Sequence, residues 1–426
     1  MIRTVTIFLA LLAIIGPVKA AEDVVAIVGG RIHTLGPEGT IERGTVVIEG
    51  NRIVAVGEKI RVPVGATIID AAGKEVTPGL FDAHSYFGVE EISLVETTVD
   101  RYQMGTHLTA GFDIADAINP DSTLIPVNRI EGVTRAAVAP SSTEGSAVLV
   151  GRGAVIHLGG GDDFITDRHS AMYAVLGEGG GALAGGSRAA ALLALREALE
   201  DAQDWTAHRD EYDSRQRRGY VASRPDLEAL APLLAGRIPL IAAVNRASDI
   251  EAAIRLADEF RLRLVVLGGS EAWKVAPQLA AAQVAVMLDP LANLPASFDR
   301  LGATLENAAR LQRAGVSVAF VSSDGHNARN LTQSAGNAVA HGMDYDEALR
   351  AITVNPARIF GIDRSYGTLQ PGKLADVVVW SGDPLEVTSY ADQVVIEGRI
   401  IPMTSRSTLL RDRYRTLDKA MRPGYR

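Results

Sequence analysis

The alternation of apolar and polar positions separates the chain into two β-rich ends and a mixed middle. From Val24 to Gly57, four β-branched runs (Val24–Val28, Arg31–Thr34, Thr45–Ile48 and Arg52–Val56) are divided by glycine-containing turns, which predicts short strands joined by tight connections. The string Val46-Val47-Ile48-Glu49-Gly50 recurs as Val394-Val395-Ile396-Glu397-Gly398. Each copy leads into another short strand, Ile53–Val56 in the first case and Arg399-Ile400-Ile401 in the second. Ala375–Trp380 reads as a buried strand just before the second copy. Five residues also recur by coincidence in a valine-rich chain. Taken with Ala375–Trp380, the recurrence predicts one small β-domain assembled from both chain ends.

The middle alternates two periodicities. Pro239–Val244 is apolar and is followed by Ser248-Asp249-Ile250-Glu251, the Ser-x-x-Glu pattern of a capping box, opening a helix that runs through Phe260. Arg263–Leu267, Val284–Leu288 and Val316–Val321 read as further strands, with helices starting near Ser270 and spanning Thr304–Ala314. Strands separated by about 10–15 helical residues imply βαβ units and a parallel sheet, so the fold class is α/β. The glycine-rich stretch from Gly177 to Gly186 precedes an alanine-rich helix, Ala189–Leu199. Its spacing matches no phosphate-binding loop, and it is expected to form a mobile loop over the mouth of a barrel. In the tail, Leu410, Tyr414, Leu417 and Met421 fall at helical spacing, as in an amphipathic helix packed on the body.

Composition narrows the functions. Hydrophobic residues make up 47 % and charged residues 22 % of the 426, a globular balance that excludes wholesale disorder. The absence of cysteine excludes disulfides, thiolate catalysis and cysteine-based metal sites. A net charge of −9 argues against nucleic acid as a partner. Arg3, the apolar run Val5–Ile15 and the small-residue site Val18-Lys19-Ala20 read as a signal peptide over residues 1–20. The chain is therefore expected to be periplasmic or secreted, with no stable membrane span once that segment is removed.

Three motifs place polar residues at strand and helix ends. Pro78-Gly79-Leu80-Phe81-Asp82-Ala83-His84 closes one strand with a histidine, and Val321-Ser322-Ser323-Asp324-Gly325-His326 closes another with an aspartate and a histidine. Thr353-Val354-Asn355-Pro356-Ala357-Arg358 ends a late helix and is followed by Gly367-Thr368-Leu369-Gln370-Pro371-Gly372-Lys373-Leu374-Ala375-Asp376. With these motifs the chain resembles the amidohydrolase superfamily from Val24 to Ile401, and within it the imidazolonepropionase-like branch of secreted members. Thr353–Asp376 is the most specific part of the match. The resemblance implies a (β/α)8 TIM-like barrel over residues 78–364 and a small β-sandwich from residues 21–77 and 365–403, with a helical tail over 404–426. It also implies hydrolysis of carbon–nitrogen bonds other than peptide bonds. One or two divalent ions at the strand ends would lower the pKa of a bound water, and an aspartate on the last strand would move the proton.

The family's donor positions are largely substituted. Its first-strand His-x-His reads His84-Ser85-Tyr86 here, and a phenol is a poor ligand near neutral pH. The fifth-strand histidine aligns with Ala243 and the sixth-strand one with Leu267-Gly268-Gly269. No lysine stands plausibly at the fourth strand. The resemblance leaves His84 and Asp324 as ligands of a reduced site for one divalent metal, zinc first, with Asp324 also the proton shuttle. Residues two apart in extended backbone share a face, so Asp324 and His326 are expected to look together into the barrel mouth as catalytic residues. The bland alternatives are a loop hydrogen bond for His326 and a packed family remnant for His84. Arg246 is a candidate for binding a substrate carboxylate, or else a surface ion pair, and Tyr86 is a second substrate-binding candidate. Asp289 either faces the mouth or caps the turn at Pro290. His107, His157 and His169 are each either replacement ligands or ordinary hydrogen-bonded histidines.

Two functions follow. One is a metal-dependent hydrolase with a reduced site, acting on a small-molecule substrate. The other is a catalytically inactive binding or assembly subunit, either a homo-oligomer or paired with a complete relative.

Overall fold

The computed structural model describes residues 24–105, 109–216 and 218–415. Its first five strands are β1 (Val24–His33), β2 (Thr40–Glu49), β3 (Arg52–Gly57), β4 (Thr67–Asp70) and β5 (Glu75–Pro78). Eight more follow: β6 (Leu80–Ser85), β7 (Val133–Val138), β8 (Leu149–His157), β9 (Ile165–Val175), β10 (Leu240–Val244), β11 (Leu264–Gly268), β12 (Ala285–Leu288) and β13 (Val318–Phe320). The last three are β14 (Val377–Trp380), β15 (Ala391–Ile396) and β16 (Arg399–Ile400). The N-terminal five and C-terminal three share one eight-stranded sheet, and β6 to β13 form a second, near-closed barrel sheet in sequence order. Both the α/β fold class and the β-domain built from both ends are thus present. The signal segment lies outside the described residues. No helix among the described residues is long and apolar enough to cross a membrane.

The two chain ends are joined through β5, which pairs parallel with β1 and antiparallel with β14. The two predicted strands Val24–Val28 and Arg31–Thr34 are one strand, β1, whose register against β2 shifts around Gly30. The glycines there permit an irregularity inside a continuous ladder instead of a full turn. Val25, Ile27, Ile32, Val46, Ile48, Val377, Val379 and Val395 form the core of this sheet. The alternate set, Val378, Trp380, Val394 and Ile396, joins the larger core that continues beneath the barrel. Period-2 alternation thus gives each face of the sheet its own cluster.

Within the barrel, β6–β7 and the whole series from β9 to β13 pair parallel, while β8 runs antiparallel to both its neighbours. The third strand therefore departs from a regular (β/α)8 arrangement. It returns to β9 through a turn in which Gly160 and Gly161 have positive φ, with no helix between. Inward-pointing Phe81, Ala83, Ala137, Val155, Ala171, Tyr173, Ile241, Val265, Met287 and Ala319 fill the barrel interior.

Two local expectations are corrected. The glycine stretch is no loop: Gly177–Leu183 is a helix with Gly177, Gly180 and Gly181 buried. A Cβ at Gly180 would overlap the Val175 carbonyl and one at Gly181 would lie 3.1 Å from the Arg188 nitrogen, so the glycines serve close packing. The helix Ala247–Phe260 begins at Arg246 without a side-chain cap, so the Ser248 to Glu251 box does not form. In the tail, Arg406–Tyr414 is helical and capped by Ser405, but it buries none of its residues. Of the predicted stripe, Leu410 is half-buried, Tyr414 is 50 % exposed, and Leu417 and Met421 lie outside the described residues.

Candidate functional site at the barrel mouth

The C-terminal ends of the barrel strands surround a cavity of about 440 Å³. His84 and Tyr86 enter it from the end of β6, Tyr173 from β9, and Ala243 with Asn245 from the end of β10. Leu267, Gly268 and Ser270 follow β11, Asp289 follows β12, and Ser322 and Ser323 follow β13, while Arg101 and Arg300 come from longer connections. Parallel strands deliver consecutive strand ends to one rim, which is why residues so distant in sequence meet there.

The floor is built around β6. Asp82 is fully buried and accepts hydrogen bonds from the backbone N–H groups of His84 (3.2 Å) and Ser322 (3.1 Å) and from the Ser322 hydroxyl. Burial pushes its carboxyl up to about 7 against those donors. His84 is 4 % exposed, and burial pushes its imidazole down to about 4, so the ring is neutral at neutral pH. Its Nδ1 and the hydroxyl of Tyr173 are buried without a hydrogen-bond partner, and the two rings lie 5.8 Å apart. Burial raises the Tyr173 phenol further, keeping it protonated. Tyr86 packs edge-on against His84 at 5.4 Å and lies under the Arg101 guanidinium at 4.4 Å. Arg101 is itself paired with Glu90 and hydrogen-bonded to Ser141.

The structure brings His84, Tyr86 and Asp289 to the mouth and leaves three sequence candidates elsewhere. The carboxylate of Asp324 accepts from the backbone N–H groups of His326 (2.6 Å) and Asn327 (3.1 Å) and from the Asn327 side-chain amide (3.1 Å). Burial would raise this carboxyl, but those donors together with the Gly325 N–H hold it below the usual carboxylate range. The segment is a tight turn after Ser323 (φ +49°), and period-2 backbone does not continue through it. His326 is consequently exposed and faces a different depression, beside Glu91, Thr123 and Arg406. The shared face expected for Asp324 and His326 does not exist. Arg246 pairs with Asp249 at 2.8 Å, three residues along the same helix, and is absent from the cavity wall. The helix start claims its guanidinium, so the ion-pair alternative is the observed one.

His157 and His169 are also placed elsewhere. His157 Nδ1 accepts from the Gly159 N–H at 3.1 Å beside Glu397, His169 bonds Asp113 at 2.9 Å, and His107 lies outside the described residues. Asp289 lines the mouth and also accepts from the Leu291 N–H at 2.9 Å, so both of its readings hold. Sequence reasoning missed Tyr173, Arg101 and Arg300. Tyr173 carried a signal, as the one polar-tipped residue in the apolar run of β9, whereas the arginines lie in connections whose course no local pattern fixes.

This donor set does not fit a divalent ion of the kind the resemblance implies. At the sixth-strand position, Gly268 has φ +91°, and a Cβ there would sit 2.8 Å from Asn245 Oδ1. Asn245 also accepts from the backbone (3.3 Å) and hydroxyl (3.0 Å) of Ser270, so its side chain fills the space that a ligand would need. The fifth position is Ala243, the second first-strand position is a phenol, and Asp324 is committed to its own turn. Among the described residues, no three histidine, aspartate or glutamate side chains are grouped to hold a metal.

An eight-stranded barrel with its cavity at the C-terminal strand ends, joined to a sheet from both chain termini, defines the class of protein. Residues 263–401 match the profile described as "Amidohydrolase family". An amidohydrolase from Thermotoga maritima superimposes with a TM-score of 0.80 at 26 % identity, covering 89 % of this chain and 99 % of that one. Among curated relatives, the amidohydrolase tasK of Hapsidospora irregularis is 25 % identical over 83 % of this chain and 39 % of its own length. An imidazolonepropionase of Streptomyces griseus is 46 % identical over 12 % of this chain and 13 % of its own. The chain thus spans well under half the length of these curated relatives.

Proposed function

We propose that the barrel mouth is a small-molecule site and that this chain binds its ligand there without holding a catalytic metal on its own residues. At family level the chemistry is hydrolysis of carbon–nitrogen bonds. The observation that carries the binding reading for this chain is Gly268: its left-handed backbone and the Asn245 side chain against it leave no room for an imidazole at that position. The site is rebuilt around a different side chain, which a simple loss of one ligand would not produce. The alternative of an assembly subunit draws on the match to tasK, in which more of the relative lies outside the aligned region than inside it.

A second reading keeps the chain a hydrolase with a reduced site, and His84 favours it. Its neutral imidazole is buried at the cavity with an unpartnered nitrogen, as a ligand or proton carrier would be. Elemental analysis of protein purified without chelator, and again after incubation with zinc or manganese, separates the two. The binding reading expects well under one-tenth of a metal per chain in both preparations and in His84→Ala. One divalent ion per chain, lost in His84→Ala, would overturn it in favour of the hydrolase.

A further inference from the structure

We propose that the loop Glu90–Arg101 and the helix Arg406–Tyr414 together form the surface on which two copies of this chain pair about a two-fold axis; the inference stands apart from what the barrel mouth binds. The loop follows β6, and the helix lies at the end of the described residues. The two meet at a depression of about 520 Å³ whose walls include Glu91, Ile92, Asp121 and Arg406.

Both elements hold apolar side chains out in water. At the tip of the loop, Ile92, Leu94 and Val95 are 57 %, 95 % and 41 % exposed. The tip is fixed by its own hydrogen bonds. The Glu91 N–H donates to the Thr98 carbonyl at 3.1 Å, the Asp100 N–H to the Val89 carbonyl at 2.8 Å, and the Thr98 hydroxyl to the Ile92 carbonyl at 3.0 Å. A backbone held this way does not turn the three side chains inward, so their surface stays wet until another surface covers it. The helix is in the same position. Its nine residues include no buried one, and Leu409 is 62 % and Tyr414 50 % exposed. A helix this short draws its stability from packing. The capping box of Ser405 and Thr408 sets the direction in which it is presented.

Charge identifies the occupant as a second copy. On the loop side stand Glu91, Glu96, Asp100 and Asp121, while Glu90 is neutralised by Arg101. On the helix side stand Arg406, Arg411, Arg413 and Arg415 against the one acid Asp412. Two patches of opposite sign, each with exposed apolar residues, therefore lie side by side. A two-fold axis between them sets the helix of each copy against the loop of the other, and both halves of the contact are the same. An anionic bilayer would meet the carboxylates together with the arginines, and so would be repelled by half of the surface. The loop, the helix and their flanks supply about the 20–30 residues a side of a standard interface.

The test is sedimentation velocity of the purified protein at micromolar concentration and low salt, beside two charge-reversed forms and a third that combines them. Arg406→Glu with Arg411→Glu reverses the helix, and Glu96→Arg with Asp100→Arg reverses the loop. All four side chains are exposed, so the fold is kept. The native chain is expected at twice the chain mass, with its dimer weakened as salt screens the pairs. Each reversed form alone should dimerise at least about ten-fold more weakly, because like charges then face each other. Mixed together, the two should pair with one another, and the combined form should regain the native dimer. Leu94→Asp, at a side chain almost wholly in water, should be monomeric while melting like the native chain. The proposal is overturned by a monomeric native chain, by a dimer that neither reversal weakens, or by a Leu94→Asp dimer of native strength. Reversed forms that do not pair when mixed, or a combined form that stays monomeric, overturn it as well. So does a monomer that sediments with phosphatidylglycerol vesicles, which would assign the surface to a membrane.

Discussion

Asp82, on the first barrel strand, accepts both the backbone N–H and the hydroxyl of Ser322, the second residue beyond the last barrel strand. The barrel sheet runs from β6 to β13 without a strand ladder joining its two ends. The seam is closed instead by this carboxyl and by the Ser323 N–H, which donates to the His84 carbonyl at 2.9 Å. A buried carboxyl, held by three donors, therefore does the work of ladder hydrogen bonds at the base of the cavity.

That seam has a pH signature. Burial raises the Asp82 carboxyl from 3.8 to about 7 in the fold, so the folded state binds this proton more tightly than the unfolded chain. Its contribution is fully present below about pH 4 and is lost as pH rises through 7. His84 acts in the opposite sense: with its imidazole lowered to about 4, its contribution is present above pH 6.5 and is lost as pH falls toward 4. The two offset each other in the native protein. Asp82→Asn removes only the first, so its stability relative to the native chain should climb between pH 4 and 7, by at most about 4 kcal/mol at 1.4 kcal/mol per pKa unit. Urea denaturation of both proteins across that range measures the difference, and a flat difference would contradict the burial argument.

Gly268 gives a second prediction, about reversal of the substituted site. Gly268→His places an L side chain at φ +91° and drives its Cβ toward Asn245 Oδ1. The expected result is a loss of about 1–3 kcal/mol of stability with no gain in zinc affinity. Ala243→His, on β10 within an ordinary ladder to β11, lacks that strain and should be tolerated better. Equilibrium denaturation and zinc titration of both variants decide it.

Much of this was readable in the sequence where one periodicity governed a long run. The barrel strands around Ile241, Val265, Met287 and Ala319 are apolar, short and separated by helices, and their neighbours in space are their neighbours in sequence. The turn after Ser323 was not readable, because the positive φ there breaks the alternation that would have placed Asp324 and His326 on one face. Nor was the antiparallel β8, whose apolar run looks the same in either direction. Arg300 escaped notice because its position depends on Asp299, Glu178 and Gly302, three contacts across separate elements.

The recurring string yields a third prediction. Its two glycines meet: a Cβ added at Gly398 would overlap the Gly50 carbonyl oxygen, and Gly398 has φ +76°. The Gly398 N–H donates to the Ala375 carbonyl at 3.0 Å, and the Ala375 N–H donates to the Asn51 carbonyl at 2.9 Å, so the two hairpins are stitched through one residue. Gly361 has a similar φ of +72° with nothing within 4 Å of its would-be Cβ. Gly361→Ala should therefore lose only about 1 kcal/mol, from the left-handed backbone. Gly398→Ala adds a backbone collision and should lose about 2 kcal/mol or more beyond that, read as a lower urea midpoint at unchanged slope.

Arg135 couples the barrel to the terminal sheet, and its removal should depend on pH. The side chain, 1 % exposed on β7, donates from Nε to Asp376 at 3.1 Å and from a terminal nitrogen to Glu397 at 2.8 Å, with Tyr366 stacked at 4.9 Å. Burial raises the Asp376 carboxyl, and Arg135 is the main influence holding it down. Arg135→Met strands that carboxylate in the interior, which should cost about 3–5 kcal/mol at neutral pH. Protonation relieves a stranded carboxylate, so the penalty should shrink as pH falls, the reverse of what a purely steric defect would show. Arg135→Met with Asp376→Asn removes both charges and should recover most of the loss at pH 7, measured by urea denaturation of the single and double variants. If the double variant is as unstable as Arg135→Met at every pH, stacking on Tyr366 and the Glu397 bond, not the charge pair, hold the two sheets together.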